Sequence, residues 1–187
     1  TIPPQSGGEP LSSSAVYVVA AEGDTGKSTV ALGLLRILAG TVQRVGVFRP
    51  VTVAPRPPAP GVDENEPARD RILEMLLQHT TVDLDYEDCI GVTNLRVHED
   101  RDAALSEIVH RYDAVARQCD VVVILGTDYT GVPSPTEFDF NATIAVNLGA
   151  PVVLVIRGSD RTPAEIGTTA RLTLDELRAE HAPPVGV

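Results

Sequence analysis

AVYVVAAEGDTGKSTVALGLLRILAG, residues 15–40, is the stretch that decides the fold: an apolar run of strand length from Ala15 to Ala21, a short polar connection, then a helix. Val30, Leu34, Leu35 and Leu38 recur at helical spacing, and Gly40 supplies a natural stop. Working outward, the alternation continues. Arg44 to Phe48 reads as a second buried strand that runs through Arg49, Pro50 and Val51 into APRPPAPG, residues 54–61, where missing amide donors and fixed φ forbid regular structure. Pro67 to His79 places proline in a first turn and Ile72, Leu73, Leu76 and Leu77 on one face, which predicts an amphipathic helix. Tyr86 to Val97 fits neither period cleanly. Asp100 is placed to cap a helix reaching to Gln118, and Asp120 to Gly126 is a nearly continuous apolar strand of the kind covered on both faces. A helix around Asn141 to Leu148, a strand at Pro151 to Ile156, a helix around Pro163 to Glu180 and a last strand starting at Pro184 complete the pattern.

Strands alternating with helices through right-handed crossovers predict an α/β fold, a doubly wound parallel sheet with helices on both faces. The expected organisation is a disordered lead at residues 1–14, rich in Pro, Gly and Ser, followed by one domain over residues 15–187 whose last strand is cut short. A formal net charge of −11 repels phosphate backbones and anionic lipid surfaces, and no apolar run approaches the ~20 residues that span a bilayer. Neither nucleic acid nor a membrane is an expected partner. Cys89 and Cys119 lie 30 residues apart with no partner at metal-ligand spacing, and no signal-peptide pattern is present, so a cytoplasmic setting without disulfides is expected. His79, His98, His110 and His181 are scattered, with no nucleophile arranged beside them.

The connection EGDTGKS lies where backbone amides and a helix N-terminus can converge on a phosphate. Gly23, Asp24, Thr25, Gly26, Lys27, Ser28 and Thr29 are the candidate binding residues. Lys27, the only lysine of the chain, would reach the outer phosphate oxygens, and the Ser28 hydroxyl is the candidate ligand for a Mg²⁺ carried by ATP or another nucleotide. The spacing departs from G-x-x-x-x-G-K-S, with Ala21 where the first glycine belongs, and Glu22 and Asp24 bring negative charge. The same residues also fit a plain strand-to-helix turn capped by Asp24 or Thr25. Leu125 occupies the strand end where a metal-holding acid belongs, which argues against strong ATP turnover and makes Asp128 the nearest carboxylate, expected at the rim of the anion site as a binding residue or else as an ordinary solvated loop residue. Arg49, at the end of the second strand, is expected at the rim of the same crevice, as an anion ligand or as a surface arginine holding the proline loop.

Four segments, VYVVAAEGDTGKSTVALGLL, VGVFRPV, YEDCIGVTNLRVHED and RQCDVVVILGTDYTGVPSPTEFDFNATIAVNLGAPVVLVIRG, together resemble the N-terminal, dethiobiotin-synthetase-type P-loop domain of long-form bacterial phosphate acetyltransferases. The resemblance covers nearly everything after Ser14. It implies a P-loop NTPase-like fold and a regulatory and oligomerisation domain, a homo-oligomer that binds a small anionic metabolite or nucleotide beside its own C-terminal catalytic domain. Acyl transfer between CoA and phosphate belongs to that other domain, so no catalytic residue is assigned here. The alternative is a stand-alone P-loop ATPase or dethiobiotin-synthetase-like ATP-dependent ligase; such synthetases carry lysine where this chain has Arg49 and an acid where it has Leu125.

Overall fold

The computed structural model describes residues 14–53, 69–127 and 135–187. Among them, β1 (Ser14–Val19), β2 (Val45–Thr52), β3 (Ile90–Thr93), β4 (Val121–Leu125), β5 (Val152–Leu154) and β6 (Pro184–Gly186) form one 6-stranded sheet in the order β3-β2-β4-β1-β5-β6. All neighbours pair in parallel. The helices are α1 (Lys27–Ala39), α2 (Arg71–Leu77), α3 (Asn94–Glu99), α4 (Arg101–Ala116), α5 (Pro135–Asn147) and α6 (Pro163–Ala179). Right-handed crossovers send α1 and α2 to one face and α4, α5 and α6 to the other, in keeping with the contacts α1 makes with α2 and α5 makes with α4 and α6. The α/β sheet wound in both directions is the architecture the sequence predicts.

Cover on both faces explains the strand composition. Every residue of β4 is buried, and Tyr17, Val18, Val47, Phe48, Ile124 and Leu125 are wholly inaccessible. Strands with one face in water would alternate apolar and polar residues, and these do not.

Three stretches differ from the sequence reading. β2 continues past Phe48 to Thr52, carrying Arg49 and Pro50 within the strand. Proline is tolerated there because its neighbour Arg49 donates its N–H to Cys89 O at 2.8 Å, on the β3 side. The nitrogen of Pro50 therefore turns toward β4, where the β2 ladder has already ended at Phe48↔Ile124. Gly91 lies close by in β3, and a Cβ there would overlap the Pro50 carbonyl, so this edge of the sheet closes only around a glycine. The stretch from Tyr86 that fits no period splits into β3 and α3, the latter capped by Thr93. The helix expected from Asn141 begins at Pro135. The predicted Pro67–His79 helix is α2, started by Asp70, and Asp100 caps α4 by accepting from Ala103 N at 3.0 Å. Of the lead expected at residues 1–14, Ser14 instead opens β1, and residues 1–13, like the proline-rich segment, lie outside the described residues.

Cys89 and Cys119 are buried free thiols. Burial pushes Cys89 up to about 12 and Cys119 up to about 11. Among the described residues no helix is long and apolar enough to cross a membrane.

Candidate phosphate-binding site

β1 and β4 are adjacent in the sheet, yet the chain leaves them for opposite faces, and a crevice opens beyond their carboxyl ends at such a switch point. The loop after β1 enters that crevice. Asp24 (φ 54) and Gly26 (φ 81) both take left-handed backbone, which Asp tolerates and Gly prefers. Gly26 is the N-cap of α1 and no side chain caps the helix. Neither Asp24 nor Thr25 is the cap that the plain-turn alternative expected. Gly26 O accepts from Thr29 N at 2.9 Å and Val30 N at 3.1 Å, but no carbonyl among the described residues accepts from the amides of Gly23, Asp24, Thr25, Gly26 or Ser28. Those donors, together with the positive end of a 13-residue helix, are left to solvent or to an anion.

Lys27 does not point into water. It is buried, and its Nζ donates to Gly126 O at 2.9 Å and Thr127 O at 2.6 Å, beyond the carboxyl end of β4. The ammonium thus bridges the start of α1 and the neighbouring strand end. Ser28 is half-buried beside it, and Thr29 is exposed.

Arg49 is also buried, unlike the surface arginine of one sequence alternative. Its Nε donates to Asp70 Oδ2 at 3.0 Å and its Nη1 to Gly126 O at 2.8 Å. Asp70 in turn caps α2 with its other oxygen, which accepts from Ile72 N and Leu73 N. Arg49 therefore ties β2, α2 and the end of β4 together behind the loop.

A second polar set lies under Gly126. Tyr17 Oη donates to Asn141 Oδ1 at 2.7 Å, Thr127 N donates to the same oxygen at 3.2 Å, and Asn141 Nδ2 donates to Glu137 O at 3.2 Å. Complete burial pushes the Tyr17 hydroxyl far up, against the opposing pull of the Arg49 charge, so it stays a proton donor. A Cβ on Gly126 would come within 2.8 Å of Asn141 Oδ1 and 2.9 Å of Tyr17 Cε1. Only glycine fits there without displacing the network. Tyr17, Asn141 and Gly126 were not among the sequence candidates, and a buried tyrosine inside an apolar strand gives no signal of its partner 124 residues away.

Negative charge near the loop is partly answered. Glu22 is gripped by Arg161, whereas Asp24 is exposed. Leu125 is fully buried and offers no metal ligand, and Asp128 lies outside the described residues. No three His, Cys, Asp or Glu side chains gather as a metal-binding set among the described residues. The loop amides and Lys27 remain the candidates for a nucleotide phosphate, and for an accompanying Mg²⁺ the described loop offers the hydroxyls of Thr25, Ser28 and Thr29 and the exposed Asp24 carboxylate.

Beside the crevice, Val51, Asn94, Val97, His98, Arg101, Thr127, Glu137 and Phe140 line a cleft of about 230 Å³. Arg101 lies 4.8 Å over the Phe140 ring and pairs with Asp139 at 2.6 Å. Burial raises the Glu137 carboxyl, with His98 pulling the other way. A raised folded value means the folded protein holds its proton more tightly than the unfolded chain, so stability falls as pH rises above the unfolded value of about 4.3. Glu137→Gln is expected to exceed wild type in stability at pH 7 and to match it below pH ~4, where both carry a neutral side chain. Denaturant melts at the two pH values measure the difference, and a gap that persists in acid would exclude this cause.

Residues 14–187 match the family profile described as AAA domain. The chain is 31% identical over 167 residues to a phosphate acetyltransferase of Nitratidesulfovibrio vulgaris, covering 87% of this chain and 22% of that protein. It is 28% identical over 179 residues to a phosphate acetyltransferase of Synechocystis sp., covering 93% of this chain and 24% of that protein. A cobyric acid synthase of Sphingopyxis alaskensis is 29% identical over 157 residues, covering 71% of this chain and 31% of the relative. The chain thus spans less than a quarter of the phosphate acetyltransferases it matches. Among solved structures, a BceF tyrosine kinase domain aligns with a TM-score of 0.52 and 19% identity over 92% of this chain and 66% of that one, a likeness of fold.

Proposed function

We propose, from the premise that this chain belongs to the AAA domain family matched by its residues 14–187, that it is the N-terminal regulatory and assembly domain of a phosphate acetyltransferase. In this reading the loop from Gly23 to Thr29 binds a nucleotide or another phosphate-bearing metabolite without turning it over, inside a cytoplasmic homo-oligomer. Acetyl transfer between CoA and phosphate is left to a separate C-terminal domain. The observation that carries the reading is the uncapped start of α1: five loop amides without a carbonyl acceptor among the described residues, next to the chain's only lysine. The two phosphate acetyltransferase relatives support the enzyme class, and the buried Leu125 in place of an acid supports binding without hydrolysis.

Calorimetry with ATP, NADH, pyruvate and CoA tests the sensor. Binding of at least one of them below millimolar, with no magnesium-dependent phosphate release from ATP, is the expected pair of results. Silence from all four would remove the sensing role and leave assembly alone. Steady phosphate release that disappears in Lys27→Ala would instead favour the ATPase or ligase reading, in which Asp128 supplies the missing carboxylate.

A further inference from the structure

Glu22 opens the phosphate loop, directly before the amides an anion would use, and its charge opposes such a ligand. It is not left bare. Arg161 Nη1 donates to Glu22 Oε1 at 2.9 Å and Arg161 Nη2 to Glu22 Oε2 at 2.7 Å, a two-pronged pairing across 139 residues of sequence. Both side chains are a little under a third exposed, so the pair is partly withdrawn from water. The arginine comes from a fixed mount. Thr162, next in the chain, caps α6 in a reciprocal box with Glu165, with Thr162 N donating to Glu165 Oε2 at 2.7 Å and Glu165 N to Thr162 Oγ1 at 3.3 Å.

We propose that Arg161 is a positioning residue of the anion site: by holding the carboxylate of Glu22 it neutralises the half-buried one of the two loop acids that would repel a phosphate, without touching the ligand itself. One N–H from each terminal nitrogen of its guanidinium goes to an oxygen of Glu22, so the charge of Arg161 is directed at that carboxylate, the place of a counter-ion. Asp24, the other acid of the loop, is exposed, and water screens it. The inference rests on the anion-binding reading above and adds the residue that permits it in spite of Glu22.

A double-mutant cycle read by ATP calorimetry at low ionic strength tests it. Arg161→Gln is expected to weaken ATP binding about tenfold, since a partly screened charge is uncovered on the residue that precedes the loop amides. Glu22→Gln alone should stay within about threefold of wild type, and Glu22→Gln with Arg161→Gln should return to that range, because with no carboxylate to cover the arginine becomes dispensable. Should Arg161→Gln not fold, Arg161→Lys replaces it: one ammonium cannot grip both oxygens, so a loss of about threefold is expected, again cancelled by Glu22→Gln. An Arg161→Gln affinity equal to wild type overturns the proposal. So does a double variant as weak as the single, which would mean that the arginine contacts the phosphate. If wild type itself binds no ATP, the counter-ion role falls together with the nucleotide site, whereas wild-type binding that no variant alters sinks the counter-ion role alone.

Discussion

Lys27→Ala lowers ATP affinity by about a hundredfold, the expected result of removing a charge-assisted donor from a site whose remaining contacts are neutral amides. A second loss accompanies it. In the ligand-free protein Nζ serves Gly126 O and Thr127 O, and cutting the side chain back to a methyl group takes away both bonds at a buried strand end. Stability should therefore fall by about 2 kcal/mol even without ligand. Calorimetry reads the first effect and urea melts the second. The combination is diagnostic, because a lysine serving only a ligand would leave the apo melt unchanged, and one serving only the fold would leave ATP affinity intact. An unaltered affinity would refute the phosphate-loop assignment.

Arg49→Ala is expected to cost about 3–5 kcal/mol of folding stability, in the range for removing one partner of a buried pair. Asp70 would keep a charge near the start of α2 with its guanidinium gone, and Gly126 O would lose a donor. Replacing both partners should be milder than deleting one. Arg49→Met with Asp70→Asn keeps volume at one site and the oxygen that caps α2 at the other, and should recover more than half of the loss. Urea denaturation with an unchanged slope measures both. A cost under about 1 kcal/mol for Arg49→Ala would mean that the bridge is solvated and marginal.

Where sequence reading reached and where it stopped follow from the range of the forces involved. Helical spacing and apolar runs are local, so β1, α1, β4 and α4 could be read directly, as could the loop between β1 and α1. Pro50 masked the end of β2, since proline argues against a strand unless the side on which the neighbouring ladder has stopped is known, and that depends on β4. β3, Ile90–Thr93, is too short for period 2 to register before α3 begins. The candidate site shows the same division. Gly26 and Lys27 announce themselves by spacing, but whether Lys27 reaches solvent or Gly126 O is a tertiary matter separated by 99 residues. Arg49 was legible as a residue at a strand end, not as a buried brace. Glu22 was legible as an acid of the loop, not as the partner of Arg161 from 139 residues away.

The two thiols offer a different use. A buried cysteine whose proton is held so tightly that hardly any thiolate exists near neutral pH reacts with an alkylating reagent only after its surroundings come apart. Cys89 leads into β3 and Cys119 precedes β4, so each acts as a native stopwatch for its own side of β2, timing how often that part of the sheet opens with no foreign label attached.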